Sequence, residues 1–190
     1  MDRRDLPVAV LGGTFDPVHR AHLALARLAL EKLPARKLLW VPTGTPPYRT
    51  PPVAGAADRL AMLRLALGGD PRFAIDPREL APGASGYTYD TLCALKAEDP
   101  ASDFVLVIGG DQYAKRRSWH RWDDLARAFR VAVAERPGDA APGDDALRLP
   151  MAPQDLSSSD IRARLGRGED VAGLVPAPVL DYIRQKGLYR

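Results

Sequence analysis

The sequence predicts an α/β protein in which helices cover both faces of a mostly parallel central sheet, giving three layers. Two observations favour this fold class. Short apolar runs alternate along the chain with longer amphipathic segments, which is the order of strands and helices in a parallel sheet. The apolar runs are also continuous rather than alternating, which is typical of strands buried on both faces. With 190 residues, the chain is predicted to form one domain over residues 1–190.

The apolar runs place the predicted elements along the chain. Strands are predicted at residues 7–11, 37–41, 73–76, 103–108 and 130–134, and helices at 17–33, 58–67, 88–97 and 119–128. Residues 42–55 carry five prolines and two glycines, which predicts a loop, and residues 135–146 are predicted to form an exposed linker. In a Rossmann-like sheet, ligands collect at the carboxyl ends of the strands. The loops after Leu11, Val41 and Ile108 are therefore the first places to search for a site.

Composition narrows the classes of partner. Lys and Arg number 27 against 24 Asp and Glu, a net charge of +3, and no basic block or aromatic-interleaved stripe indicates a nucleic acid partner. No apolar run is long enough to span a membrane. The single cysteine, Cys93, cannot form an internal disulfide, which is typical of a reducing cytoplasm. We therefore expect a soluble cytoplasmic protein with a small anionic substrate; the residues specify no oligomeric state.

The most informative segment follows the first predicted strand and covers residues 12–22. Gly12 and Gly13 come directly after the strand and let backbone amides approach a ligand closely. Asp16 followed by Pro17 predicts a helix N-cap and the first helical residue. The segment lacks the third glycine of a dinucleotide fingerprint and the Gly-Lys-Ser/Thr ending of a P-loop.

Two of the three histidines, His19 and His22, lie near the start of that predicted helix. Their spacing of three residues places them on one helix face. Free amides, the positive end of the helix dipole and two imidazoles would then converge, which predicts a phosphate site. An ordinary turn followed by solvated histidines is the alternative. A zinc site would need a third ligand, and the chain has one cysteine and no His-Glu-x-x-His, so no metal site is predicted.

This segment resembles the phosphate-binding signature of the nucleotidyltransferase superfamily, whose hallmark is His/Thr-x-Gly-His. Its Gly-Gly-Thr-Phe-Asp-Pro-Val-His form is most similar to bacterial nicotinate-nucleotide adenylyltransferases. Ala21 stands where the hallmark has glycine, and its methyl group is expected to tighten the nucleotide pocket. The resemblance implies that His19 and His22 are catalytic and contact the reacting phosphates, with His22 also binding ATP. It assigns the rest of the adenylate contact to Gly12, Gly13, Thr14 and Phe15.

Two further segments resemble the parts of the family that hold the acceptor nucleotide. Residues 42–49 are similar to a proline-rich loop, and the resemblance carries Arg49 over as a phosphate-facing cation, although Tyr48 replaces the usual histidine. A stiff surface loop is the alternative there. Residues 86–92 match the family's Tyr-Thr-x-x-Thr-Leu, which implies acceptor binding by Tyr87 and Thr88. Thr88 is also predicted to cap the following helix and leave loop amides free for a ligand oxygen.

The segment after the predicted central strand combines a carboxylate with an aromatic ring. Gly109 gives backbone access, and Asp111 can accept the hydroxyls of a ribose. Trp119 offers a flat face for a pyridine ring, although a tryptophan that anchors a helix in the core would look the same. The match to the family's Ile-Gly-x-Asp, then Trp, implies that Gly109 and Asp111 bind ATP. It also implies that nicotinate stacks on Trp119 beside His120.

Residues 156–162 resemble the family's Ile-Ser-Ser-Thr-x-Ile-Arg. Serines open a predicted helix and Arg162 is placed on its first turn, so Ser158 and Arg162 would form a second polyphosphate cradle. A plain capped helix is the alternative. The resemblance implies ATP binding by both residues and a catalytic role for Arg162.

Taken together, the resemblance implies an enzyme of NAD biosynthesis. Its substrates would be ATP and nicotinate mononucleotide, its products deamido-NAD and pyrophosphate, and Mg²⁺ would arrive bound to ATP. Another transferase of the same superfamily is the nearest rival, acting on phosphopantetheine or on nicotinamide mononucleotide. A non-catalytic nucleotide- or RNA-binding module is a rival of a different class. A class I synthetase fragment lacks support because no Lys-Met-Ser-Lys-Ser loop is present.

Overall fold

The computed structural model describes residues 6–44, 50–135, 146–152 and 155–190. In those ranges the strands are Val8–Gly13 (β1), Lys37–Pro42 (β2), Phe73–Ile75 (β3), Phe104–Gly109 (β4), Arg130–Glu135 (β5) and Ala146–Pro150 (β6). The helices are Arg20–Lys32 (α1), Ala56–Leu67 (α2), Thr88–Glu98 (α3), Gly110–Ala114 (α4), Trp122–Ala128 (α5), Ser158–Gly166 (α6) and Ala177–Lys186 (α7).

The strands form one sheet in the order β3-β2-β1-β4-β5-β6, and every neighbouring pair is parallel. The chain runs outward from β1 to β3, returns to the middle at β4 and then runs outward to β6. The direction of winding therefore reverses between β1 and β4, which is where an open parallel sheet leaves a crevice at its strand ends. The predicted fold class is confirmed.

Burial on both faces explains the apolar strands. In β1, Val8 and Val10 pack into one core cluster, and Ala9 and Leu11 pack into the other. Side chains of α1, α2, α6 and α7 complete the Ala9 side, and those of α3, α4 and α5 complete the Val8 side. Alternate residues of a strand point to opposite faces, so the central strands β1, β2, β4 and β5 are apolar at nearly every position.

Three of these strands and helices, α4, β6 and α7, were not predicted. Strand β6 lies at the edge of the sheet and buries only Leu149, so it has no continuous apolar run to reveal it. Glu135 and Ala146, the ends of the predicted linker, belong to β5 and β6, while residues 136–145 lie outside the described residues. Helix α7 was also missed. In the described part of the chain, no helix has both the length and the apolar character that crossing a membrane requires.

Candidate active site

The loop after β1 is held from behind by hydrogen bonds to its carbonyl groups. The buried Arg59 of α2 donates from Nη1 to the carbonyls of Thr14, at 2.8 Å, and Thr43, at 2.7 Å. The Thr43 amide in turn donates to the Gly13 carbonyl at 2.9 Å. Gly13 must be glycine because a Cβ there would lie 2.8 Å from the ring of Phe15. The loops after β1 and β2 are thus fixed to one another.

The carboxylate of Asp16 lies at the centre of a second set of contacts. It is buried and accepts hydrogen bonds from the amides of Val53, at 2.8 Å, and Ala54, at 3.0 Å. The Tyr189 hydroxyl donates to it at 2.7 Å. Burial and the hydrogen bond to Asp16 raise the pKa of Tyr189, so this hydroxyl keeps its proton. Asp16 therefore joins the loop to the segment before α2 and to the residues after α7.

Helix α1 begins later than expected. Its first residue is Arg20 and its N-cap is His19, so the prediction that Asp16 caps the helix and Pro17 opens it was wrong. The reason is that the Asp16 carboxylate is already satisfied by donors from elsewhere in the fold. The predicted histidine pair is nevertheless brought to the start of the helix, at its N-cap and its third residue.

His19 and His22 stack on one another with ring centroids 3.6 Å apart and planes 19° apart. The His19 backbone amide donates to Nδ1 of His22 at 3.3 Å, so Nδ1 accepts and the proton of a neutral His22 sits on Nε2. The edge of Phe15 meets the His22 ring at 5.0 Å. Burial lowers the pKa of His19 to about 4. Burial and the nearby His19 hold the pKa of His22 well below 6.5, so both rings are neutral at pH 7.

Strand β4 ends at Gly109, across the crevice from this pair. A Cβ at Gly109 would lie 2.7 Å from Oδ1 of Asp111, so the carboxylate folds back over this residue. Asp111 is exposed, and its Oδ2 accepts from Gln112 at 3.0 Å. The carboxylate thus stands at the end of a central strand with oxygen lone pairs turned to solvent.

Trp119 lies outside any α-helix. It follows a 3-10 turn over Arg116–Ser118, and α5 starts only at Trp122, so the predicted helix start was wrong. Trp122 is the buried anchor of that helix, and Trp119 meets it edge-on at 5.8 Å. Trp119 itself is half-buried and lines the cleft described below. Trp119 therefore packs against the core through one part of its ring and borders the cleft with another, so its role as a stacking partner stays a prediction.

Tyr87 and His120 stack with ring centroids 4.1 Å apart and planes 26° apart. This contact joins the segment before α3 to the segment before α5. Tyr87 occupies the N-cap position of α3 and Thr88 is the first helical residue, so the prediction that Thr88 caps the helix was wrong. No side chain caps this helix in the structure, so the amides of its first turn remain available to a ligand oxygen.

Helix α6 brings a serine and a cation against the first loop. Ser157 caps the helix by accepting from the Asp160 amide at 3.1 Å, so Arg162 lies on the second turn and its first-turn assignment was wrong. The Ser158 hydroxyl donates to the Pro17 carbonyl at 3.0 Å. Arg162 Nη1 donates to the Asp16 carbonyl at 2.6 Å and lies 3.7 Å from Asp16 Oδ2.

A cleft of about 1520 Å³ runs along the carboxyl ends of β1 and β4. Its lining includes Gly12, Gly13, Thr14, Phe15, His19, His22, Tyr87, Thr88, Gly109, Asp111, Trp119, His120, Ser158 and Arg162. Every predicted site residue within the described ranges thus borders one space, while Arg49 and Tyr48 lie outside those ranges. Within the same ranges, no group of three or more His, Cys, Asp or Glu side chains could hold a metal ion.

Comparison with known proteins identifies the family. The family model of cytidylyltransferase-like proteins matches residues 10–164. A "Probable nicotinate-nucleotide adenylyltransferase" of Bordetella petrii is 44% identical over 195 residues, covering 96% of this chain and 98% of the relative. One of the same name from Laribacter hongkongensis is 42% identical over 207 residues, covering 96% and 94%. The chain belongs to the nicotinate-nucleotide adenylyltransferase family.

A solved structure has a fold similar to that of this adenylyltransferase. The Plasmodium falciparum nicotinic acid mononucleotide adenylyltransferase complexed with NaAD has a TM-score of 0.81 and 19% sequence identity, with 97% of each chain covered. At that identity the likeness concerns the fold. The sequence-based prediction of the family is confirmed by the relatives.

Several residues that shape this adenylyltransferase cleft were missed in the sequence. Arg59 lies in α2 and Tyr189 lies beyond α7, and no spacing rule connects either residue to the loop after β1. Glu79, which lines the cleft and accepts from the Thr91 hydroxyl at 2.6 Å, was missed as well. Thr91 belongs to the quoted Tyr-Thr-x-x-Thr-Leu match, and its hydroxyl was the signal that could have directed attention to a buried acceptor.

Proposed function

We propose that this enzyme joins ATP to nicotinate mononucleotide in the cleft between β1 and β4, giving deamido-NAD and pyrophosphate. One observation carries the proposal. At the switch point of the sheet, one cleft is lined by a neutral histidine pair at the start of α1 and by a carboxylate and a partly exposed tryptophan beyond β4. A cleft of about 1520 Å³ exceeds what one drug-sized ligand needs, and suits two nucleotides side by side.

The chemistry is a direct displacement at phosphorus. A phosphate oxygen of the mononucleotide attacks the α-phosphorus of ATP, a new P–O bond forms, and the bond to the β-phosphate oxygen breaks. Pyrophosphate leaves with the electron pair, so the step requires no covalent enzyme intermediate and no proton transfer to start it. The protein's task is to align the attacking oxygen and to stabilise the charge that develops on the phosphates.

The histidines would supply hydrogen bonds rather than proton transfer. The hydrogen bond from His19 fixes the tautomer of His22 with its proton on Nε2, which makes that atom a donor. We assign His22 Nε2 to an oxygen of the α-phosphate and His19 to the same group of reacting phosphates. Because burial keeps both imidazoles neutral, the donors are present throughout the physiological pH range.

Arg162 and Ser158 are assigned to the departing pyrophosphate. Arg162 Nη1 is engaged by the Asp16 carbonyl, which holds the guanidinium at the cleft. Its Nη2 makes only a long contact of 3.3 Å with the Ser159 hydroxyl, so it is available to a β- or γ-phosphate oxygen. Ser158 would act from the start of α6, where unpaired amides favour an anion.

The remaining contacts divide between the two nucleotides. The adenylate would be held by Gly12, Gly13, Thr14, Phe15 and Gly109, with Asp111 accepting from ribose hydroxyls. The nicotinate ring would stack on Trp119, and its carboxylate would accept hydrogen bonds from amides near Tyr87 and Thr88, with His120 beside them. Arg49, which lies outside the described residues, is assigned to the acceptor phosphate.

Proteins of this family use a divalent metal with ATP, and we propose Mg²⁺. The cleft lining fits an ion delivered by its substrate, because the phosphate-facing side chains are imidazoles, hydroxyls and a guanidinium rather than a carboxylate cage. The ion would supply charge neutralisation while triphosphate and water provide most of its ligands. We place the reaction in the cytoplasm, since a single cysteine is compatible with reducing conditions.

Pyrophosphate release across a panel of phosphorylated acceptors tests the function. The panel contains nicotinate mononucleotide, nicotinamide mononucleotide and phosphopantetheine, each with ATP, and the readout is kcat/KM. We expect the nicotinate nucleotide to be preferred, because sites that hydrogen-bond a substrate group reject its analogue by up to about 10⁴–10⁵. Equal kcat/KM values for the two pyridine mononucleotides would contradict the preference for nicotinate. The absence of pyrophosphate release with every acceptor would contradict the proposed adenylyl transfer.

A further inference from the structure

Arg59 is a fully buried cation that the displacement itself does not use. Only 1% of its surface is exposed, and it lies on the face of α2 that packs with Met62 and Leu63 into the core. Burying a guanidinium is costly unless its donors find acceptors. Its acceptors here are backbone carbonyls, and both belong to loops that border the cleft.

The two carbonyls lie at the ends of adjacent central strands. Nη1 of Arg59 donates to Thr14 in the loop after β1 and to Thr43 in the loop after β2. The Thr43 amide also donates to the Gly13 carbonyl, so the two loops are bonded to each other as well as to the same nitrogen of Arg59. With the Thr14 carbonyl drawn towards Arg59 on the protein side, the orientation of the loop's peptide groups is set before a ligand arrives.

Two guanidinium groups lie near the carboxylate of this loop. Asp16 is the carboxylate near Arg59, and its own side chain already accepts from Val53, Ala54 and Tyr189. Arg162 lies 3.7 Å from the same carboxylate. These three groups together carry one positive charge. Because Arg59 itself is buried, its charge acts on a nearby anion more strongly than it would in water.

We propose that Arg59 is a positioning residue for the triphosphate: it fixes the loop after β1 from behind and places a buried positive charge beneath the phosphates. The inference rests on the proposed function only in taking ATP as the ligand of this loop. A positioning role differs from simple packing in its effect on affinity. An arginine that only packs in the core would stabilise the fold and would affect the affinities for ATP and for adenosine equally.

The test measures the affinity of the full-length protein for ATP and for adenosine by calorimetry. Arg59→Gln retains an amide donor but removes the charge, Arg59→Lys retains the charge on a shorter side chain, and Arg64→Gln alters an exposed arginine of the same helix. Circular dichroism and thermal unfolding establish that each variant is folded. We expect Arg59→Gln to weaken ATP binding by about tenfold or more and adenosine binding by less than about twofold, because the lost positive charge acts on the triphosphate and not on the neutral nucleoside.

Arg59→Lys should give an intermediate ATP-to-adenosine affinity ratio, because Nζ can still donate and remains charged. Arg64→Gln should keep the wild-type ratio. If folded Arg59→Gln or Arg59→Lys loses ATP and adenosine affinity by the same factor, Arg59 is only a core buttress and the proposal is overturned. Wild-type pyrophosphate release with nicotinate mononucleotide is measured separately, so failure of the proposed reaction leaves the affinity comparison able to decide the role of Arg59.

Discussion

The two sides of the cleft are built in different ways. On the β1 side, Asp16 is 2% exposed and His19 is 4% exposed, and the loop carbonyls bond to Arg59, Arg162 and Ser158. On the β4 side, Asp111 and His120 are exposed and ring contacts replace buried hydrogen bonds. Reacting phosphates need fixed donors, whereas a ring that only stacks can be held by side chains that adjust. The difference predicts that variants on the β1 side impair the handling of the phosphates, in ATP binding or in turnover, whereas variants on the β4 side lower affinity for the ring of the acceptor.

The largest effect is expected from His22→Ala. Loss of a preorganised donor to the reacting phosphate typically lowers kcat by about 10²–10³. The matched control is Arg20→Ala, which alters an exposed residue on the same helical turn. Steady-state kcat with saturating ATP and nicotinate mononucleotide is the measurement. A folded His22→Ala variant with near-normal kcat would remove His22 from the reaction and weaken the contrast between the two sides.

Arg162→Lys is expected to have the next largest effect. Lysine keeps the charge but loses the planar fork that serves the Asp16 carbonyl and a phosphate together, so kcat/KM for ATP should fall by about tenfold. Arg167→Lys, which alters the exposed partner of Glu169 at the end of α6, should leave ATP kinetics unchanged. Equal behaviour of the two variants would move Arg162 from the cleft to the supporting surface.

Trp119→Ala tests the β4 side of the cleft. Loss of ring stacking should raise KM for both pyridine mononucleotides by up to about tenfold, since aromatic contacts contribute about 0.5–1.5 kcal/mol. The preference for nicotinate should survive, because backbone donors near Thr88 do not depend on the indole. The measurement is KM, kcat and the nicotinate-to-nicotinamide ratio in both proteins. A fall confined to kcat would indicate that this side also aligns the reaction.

A change of pH is expected to have the smallest effect on activity, but it should have a clear effect on stability. Burial lowers the pKa of His19 to about 4 from an ordinary value of 6.5. Between these values the unfolded chain binds a proton that the folded chain does not. The stability of the neutral ring is therefore fully present above about pH 6.5 and is lost as the pH falls towards 4. The full shift amounts to a free energy on the order of 3 kcal/mol.

Urea unfolding at pH 7 and pH 4.5 measures this loss. His19→Gln should lose less stability than the wild type over the same interval, because glutamine does not titrate. Identical losses in the two proteins would show that the acid sensitivity originates elsewhere, for example in buried carboxylates.

Some parts of the fold and of the site could be predicted from the sequence because they depend on residues close together in the chain. Gly13, His19 and His22 are close together in the chain, and local rules about glycine turns and helix faces were enough to bring them together. The order of apolar runs likewise predicted the sheet, with edge strand β6 missed because only Leu149 is buried in it. The family prediction was confirmed by relatives at more than 40% identity. The assigned roles of the individual site residues stay predictions.

The failures share a physical cause. Asp16 looked like a cap because local sequence supplies no sign that Val53, Ala54 and Tyr189 will reach its carboxylate first. Arg59 drew no prediction from the sequence, because its burial depends on two loops that meet only in the folded sheet. Contacts between residues far apart in sequence are set by the topology, and no periodicity or spacing reports them.

The hydrogen bond between Tyr189 and Asp16 joins residues 173 positions apart. Helix α7, just before Tyr189, packs on α2, and the Tyr182 hydroxyl bonds to Asp58 at 2.8 Å. Regions of a protein open locally at free energies below that of global unfolding. If α7 detaches while the sheet remains intact, Asp16 loses a buried donor and the loop of the histidines keeps only its contacts with Arg59, Arg162 and Ser158. Local opening of this C-terminal helix would therefore lower activity before the sheet unfolds.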